Sequence, residues 1–413
     1  MSSFGERGST MKLMRRRRTT PSGRKRANLS ARRLQQANST IDVHAHFVPQ
    51  GYLRLIETEG EPHGVRLRSG PNGPMILAGQ FPIGPITAHY HDLDLRLKTM
   101  DAQGITVHAL SLMPPMVYWA DGTLAVRLAR LVNDAIAEAT RAHPDRFVGL
   151  ATLPLQNPEA AVGEVERAVT ELGCRGIYLG TNVRGKELSD PSFLPVFERI
   201  DALRVPIFLH PLNVIGSQRL TSYYLHNLLG NPFDTAVAAA NLIFSGLLDR
   251  FPKLEVCLPH AGGALPYLIG RLNHGWKVRQ ECKALKKPPS SYLRRFTYDT
   301  ISHAPESLNY LIKLVGVDRV MIGSDYCFDM GYDRPVKVVT GLKLSRNDQE
   351  KILGGNAAHL LRLANFAPGI LRGKKRRASV RIEKKDEEGQ LTRGFEEGGK
   401  NSNSPNKGKE APK

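Results

Sequence analysis

Ile41-Asp42-Val43-His44-Ala45-His46-Phe47 reads as a short apolar strand that carries two imidazoles near its end. Side chains two apart on a strand share a face, so His44 and His46 point together. Paired imidazoles suit zinc or a similar divalent ion. Taken alone, the pair also fits an ordinary core or surface position. What decides is whether other strand ends bring ligands to the same point.

Short apolar runs recur along the chain. After 41–46, strands are predicted at 105–111, 147–153, 176–180, 206–210, 254–260, 295–300 and 319–325. Helical patterns lie between them, at about 92–103, 122–142, 158–172, 191–203, 234–248, 263–274, 305–315 and 346–363. The 158–172 pattern has Pro158 at its start and Gly173 just past its end, the usual asymmetry of helix termini. Buried-type strands that alternate with helices predict an α/β fold, a (β/α)8 TIM barrel of metal-dependent hydrolase type. An open doubly wound sheet is the alternative. No Gly-x-Gly-x-x-Gly follows the first strand, which argues against a dinucleotide-binding version. The Gly- and Pro-rich segment 50–91 is the main insertion and is expected over the barrel mouth. The loop 211–233 is the second long excursion.

In such a barrel the C-terminal strand ends converge on one mouth. Strand five ends at His210, strand six at His260 before Ala261-Gly262-Gly263, and strand eight at Asp325 after Gly323-Ser324. One histidine at a strand end is more often structural than ligating. Four strand ends that all offer ligand-type side chains are hard to explain as packing.

The net charge of +19 is unevenly spread. Residues 1–40 carry +10 and residues 366–413 carry +6, which leaves +3 for the middle. The domain organisation read from this is a disordered basic N-terminal tail (1–40), a barrel domain (41–365) and a disordered C-terminal tail (366–413). The Arg15–Arg18 and Lys374–Arg377 runs are expected to be solvated tails, with nucleic acid an unlikely partner despite their charge. The head lacks the apolar run of a signal peptide. No stretch is long and apolar enough for a membrane span. Cys174, Cys257, Cys282 and Cys327 show no CxxC spacing, so reduced thiols and a cytoplasmic location are expected.

Six stretches together resemble the metal-dependent amidohydrolase superfamily. They are Ile41–His46, Asp145–Pro154 (Asp-Arg-Phe-Val-Gly-Leu-Ala-Thr-Leu-Pro), Ile207–Pro211, Phe251–Gly263, Gly270–Gly275 and Ile322–Tyr326. The likeness is strongest to the branch that includes aminocarboxymuconate semialdehyde decarboxylase, and it runs from about Ile41 to about Leu363. It implies that His44, His46, His210 and Asp325 bind one divalent metal, zinc first and manganese second. It also implies that His260 is the acid/base beside the metal's water, with Asp325 able to relay a proton. Zinc lowers the pKa of bound water to roughly 7, so a nearby histidine can exchange that proton near neutral pH. Arg271 matches an arginine that, in the family, reaches the neighbouring subunit's site and holds a substrate carboxylate. A homodimer is implied on the same ground. The superfamily's two-metal hydrolases often carry a lysine at the end of strand four. Here that strand ends Tyr178-Leu179-Gly180, which favours one metal.

The chain also departs from the pattern. An arginine of the semialdehyde decarboxylase that would fall near Thr87 is missing, which leaves His89, His91 or a different substrate. Cys327 stands where the family commonly has proline. Trp119, after strand two, is a candidate pocket residue, with loop packing as the competing reading. His63, His143, His226, His303 and His359 are read as loop or helix-surface residues, and His108 as packed. The function expected is a carboxy-lyase that releases carbon dioxide from an unsaturated or aromatic carboxylic acid, as in catabolism of aromatic compounds. The alternatives are a hydrolase of an amide, ester or lactone at the same site, and a non-enzymatic scaffold on an inactive barrel.

Overall fold

Parallel strands laid side by side in chain order make up the core of the computed structural model, which describes residues 39–79 and 81–363. They are β1 (Ile41–Phe47), β2 (Val107–Leu112), β3 (Phe147–Thr152), β4 (Gly176–Gly180), β5 (Ile207–His210), β6 (Val256–Leu258) and β7 (Phe296–Tyr298), and each pairs with the next. The expectations for the basic tails fall outside the described residues.

Helices follow as the barrel pattern requires: α1 (Gln50–Glu59), α2 (Leu93–Gln103), α3 (Gly122–Ala142), α4 (Pro158–Thr170), α5 (Leu194–Leu203), α6 (Asn231–Phe244), α7 (Leu265–Val278) and α8 (Pro305–Val315). Local chemistry sets several starts. Asp92, Asp121 and Asn157 each cap a helix by accepting an amide three residues on. In α3, Leu124, Leu128, Val132 and Ile136 recur every four residues and are buried, so the helix lies on the sheet along that stripe. Asn133 ties α3 to the next strand: its amide donates to Thr152 O and Glu164 Oε1, and its carbonyl accepts from Thr152 N.

The eighth predicted strand needs correction. Residues 319–325 do fill the eighth place, but not as a regular strand. Val320 bridges Tyr298 and Tyr326 bridges Ala45, both parallel. Met321 N donates to Tyr298 O at 2.8 Å and Val43 N to Ile322 O at 3.0 Å, so the ring closes between β7 and β1. Two features break the ladder. Ile322 N donates to Ile352 O instead of a strand, and Asp325 sits at φ 60, outside the extended region.

The insertion is more ordered than its Gly and Pro content suggests. It begins with α1 and continues as an antiparallel sheet of 65–68, 75–78 and 81–83. The predicted 234–248 helix is interrupted at Ser245-Gly246, and 346–363 is built of short helical pieces that include a π turn at Lys351–Gly355. Among the described residues, no helix is long and apolar enough to cross a membrane.

Candidate metal centre

His44, His46, His210 and Asp325 are buried, and each offers one ligand atom within 4.8 Å of all the others. The strand-end expectation is met for these four. His44 and His46 come from β1, with ring centroids 5.0 Å apart. His210 ends β5, and its ring lies 5.3 Å from His44 and 5.1 Å from His46. Asp325 Oδ1 lies 3.0 Å from His46 Nε2 and 3.4 Å from His44 Nε2.

Outer contacts fix the tautomers. His44 Nδ1 is 2.9 Å from Asp299 Oδ2, an oxygen that accepts, so the proton sits on Nδ1 and the lone pair on Nε2. His210 Nδ1 is 2.9 Å from Pro211 O, which imposes the same tautomer. His44 Nε2 and His46 Nδ1 are buried with no hydrogen-bond partner among the described residues. Buried polar atoms are rarely left unpaired without a reason. Three imidazoles and one carboxylate, with His44 Nε2 facing Asp325 unpartnered, fit one divalent cation.

The protonation states of His46, His210 and Asp325 agree with that fit. Burial drives the His46 pKa down to about 4 and holds His210 well below its usual range, so both rings are neutral at pH 7. Burial alone would raise Asp325. The charge of His44 and hydrogen bonds from His260 and His46 overcome it, and Asp325 stays ionised. Burial likewise opposes charge on His44, but Asp325 and Asp299 outweigh it and raise its pKa.

His260 stands beside this set, Nε2 at 3.8 Å from Asp325 Oδ2. His260 and Ala261 both adopt left-handed backbone, φ 52 and 55. Asp299 holds them there by accepting their amides at 3.0 and 2.8 Å, while Ile301 N donates to it at 3.0 Å. Sequence reading missed Asp299, although it lies in the strand predicted at 295–300. Arg96 was also missed. It is fully buried, donates to the carbonyls of His46 and His89, and lies over the Tyr326 ring at 4.7 Å. His108 is packed beneath, as expected, 3.4 Å from Arg96 and 3.5 Å from Asp42.

Two clefts meet at Asp325. One, of about 810 Å³, is lined by His260, Asn231, Tyr267, His303 and Tyr310. The other, of about 600 Å³, is lined by His210, Trp119, Arg184, Tyr224 and Phe328 and is bordered by insertion residues such as Val65 and Ile83. Both volumes suit a small-molecule site. The insertion thus does border the mouth. His63, His226 and His303 stand in turns or loops, as expected, and also line these clefts. His89 and His91 line neither. His89 Nδ1 pairs with Tyr326 Oη at 2.9 Å instead. Arg271 lies exposed on α7 and lines neither cleft of its own chain. Trp119 faces its cleft while its indole donates to Met116 O at 3.0 Å and Tyr52 Oη at 3.2 Å.

Similar proteins agree with this geometry. The Amidohydrolase family model matches residues 41–363. A 2-amino-3-carboxymuconate-6-semialdehyde decarboxylase of Dictyostelium discoideum is 36% identical over 329 residues, covering 78% of this chain and 91% of that one. The solved 5-carboxyvanillate decarboxylase of Sphingomonas paucimobilis has a TM-score of 0.70 at 28% identity, covering 79% of this chain and 99% of the other. A dihydroxybenzoic acid decarboxylase of Polaromonas sp., solved with manganese and 2-nitroresorcinol, has a TM-score of 0.67 at 28% identity, covering 79% and 98%. With its matched span, its strand-end ligands and its barrel order, the chain belongs to the amidohydrolase family.

Proposed function

We propose that this protein is a metal-dependent carboxy-lyase that removes carbon dioxide from an unsaturated or aromatic carboxylic acid. The observation that carries the reading is the buried His44–His46–His210–Asp325 set with His260 at its edge, in a chain whose named relatives are decarboxylases. Those names weigh against the hydrolase alternative, and the complete ligand set weighs against an inactive scaffold.

A divalent ion held by the four ligands would act as a Lewis acid on a substrate oxygen. Three imidazoles favour zinc. The manganese in the Polaromonas relative makes that ion the alternative, and elemental analysis of purified protein decides between them. Loss of carbon dioxide leaves an electron pair on carbon that a proton must quench. His260 lines the larger cleft beside Asp325, and we assign it that transfer, with Asp325 as ligand and relay. Trp119 is assigned to the wall of the substrate cleft.

We further propose a cytoplasmic homodimer in which Arg271 serves the partner's site. Arg271 is exposed, with no ion pair among the described residues, and stands four residues after Tyr267, on the same face of α7. Tyr267 is 85% exposed, and Leu228 and Leu229 of the turn before α6 and Phe233 in its first turn are also exposed, an apolar surface that suits a second copy.

The test is carbon dioxide release from a panel of acids: aminocarboxymuconate semialdehyde, hydroxybenzoates and carboxyvanillate. Metal-loaded wild type is compared with Asp325→Asn and His260→Ala. Release by wild type alone supports the reading. His260→Ala is expected to keep its metal and lose at least a hundredfold in turnover, the range of a positioned acid or base. Normal turnover by that variant would remove His260 from the mechanism.

A further inference from the structure

The two clefts that meet at Asp325 are walled, among the described residues, by one permanently charged cation, Arg184. It sits at the tip of a small hairpin in which Asn182-Val183 pairs with Lys186-Glu187, with Val183 opposite Lys186. Arg184 and Gly185 are therefore the two central residues of the turn. Their φ values are 56 and 80, and positive φ at both positions is the condition of a type I′ turn. Asn-Gly and Asp-Gly are the sequences such turns favour. Arginine is a poor choice, because its Cβ crowds the backbone in the left-handed region. Backbone strain of this kind gathers at functional positions.

The tip is also held firmly. Gly185 N donates to Asn182 Oδ1 at 3.0 Å, and the buried Asn182 amide donates to Leu212 O. Asp234 accepts from Thr181 Oγ1 and from Ile215 N, which ties the hairpin to the loop after β5. Yet the guanidinium itself makes no hydrogen bond or ion pair with any described residue. Among the described residues, the only acid on its cleft wall is Asp325, which belongs to the ligand set. A strained, anchored turn thus places an exposed arginine with an uncommitted guanidinium on the wall of the cleft that begins at the metal centre.

We propose that Arg184 is a substrate-binding residue that takes a second anionic group of the acid, remote from the end that lies at the metal centre. Guanidinium pairs bidentately with carboxylate, so the geometry selects a dianionic acid over a monoanionic one. The cation missing near Thr87 is then supplied from the strand-four hairpin. The inference rests on the decarboxylase reading only for which end of the acid meets the metal centre.

Calorimetric titration of the full-length, zinc- or manganese-loaded protein with isophthalate and with benzoate tests it. Wild type is expected to bind isophthalate on the order of tenfold more tightly than benzoate, the scale of a partly screened charge-assisted contact. Arg184→Asn keeps a residue that the turn favours. It should abolish the preference, leave benzoate affinity unmoved and melt no lower than wild type. Arg184→Lys should keep part of the preference. Equal isophthalate affinity in Arg184→Asn and wild type overturns the proposal. So does a loss of both ligands together with a lower melting temperature, which marks a structural role, and so does a wild type with no preference. A wild type that prefers isophthalate through Arg184 but releases carbon dioxide from no acid supports this proposal and overturns the decarboxylase reading.

Discussion

Asp299 shows how one side chain can govern a site without touching its ligand position. Its two oxygens accept from the His44 ring and from the amides of His260, Ala261 and Ile301. It therefore fixes the tautomer of His44 and the strained backbone of His260 at once. Asp299→Asn keeps the size but offers an NH2 group to one side of this arrangement. We predict a 10- to 100-fold loss of metal affinity, the usual cost of removing an outer carboxylate partner. Competition with a chromogenic chelator measures it. Unchanged affinity would mean that strand geometry alone orients His44.

The strand ends at the metal centre depend on turns that ordinary residues adopt poorly. The turn after β6 passes His260 and Ala261 at positive φ and then Gly263 at φ 57. A Cβ on Gly263 would lie 2.2 Å from Pro232 O, at the start of α6, and nothing flexible there can move aside. Gly263→Ala is predicted to cost about 2–4 kcal/mol, combining left-handed strain with backbone repulsion. Urea denaturation should show this as a lower midpoint. The variant should also lose turnover more than metal content, because the displaced turn carries His260 and none of the four ligands.

At the scale of the whole molecule, burying the metal centre ties stability to pH. The His46 pKa falls from 6.5 to about 4 on folding, and His210 shifts the same way, because burial disfavours their charged forms. Groups with depressed folded values stabilise the native state above the unfolded pKa. That stability is lost as pH falls from 6.5 towards 4. For His46 alone the loss is about 3 kcal/mol at 1.36 kcal/mol per pH unit. His44 shifts the other way and offsets part of it, its contribution lasting below 6.5 and fading as pH rises. Chelator-treated protein should therefore melt at a lower temperature at pH 5 than at pH 7. A flat profile would show that the depressed pair does not dominate. Subunit contact is tested at the same scale. Co-expressed Arg271→Ala and His260→Ala chains should recover about a quarter of wild-type activity, since about half of the dimers are mixed and each mixed dimer has one complete site. No recovery from two inactive parents would place Arg271 in its own subunit's site, and an active Arg271→Ala parent would remove it from the reaction.

The sequence by itself determined the barrel and its metal ligands, because both are written in local patterns. Alternation along β1 aims His44 and His46 together, and strands alternating with helices bring His210, His260 and Asp325 to the same mouth. The resemblance from Ile41 to Leu363 pointed to the same branch that the similar proteins confirmed. Tertiary structure alone decided what depends on contacts between distant positions. His44 and Asp299 are 255 residues apart in the chain. Arg96 looks like a surface helix residue until the fold buries it behind β1. The eighth strand reads as regular until Ile322 sends its amide to Ile352. Arg184 is unremarkable in sequence, and only the fold brings it to a hairpin on the wall of the cleft at Asp325. Periodicity records which face a side chain takes, but it carries no information on which remote group that face will meet.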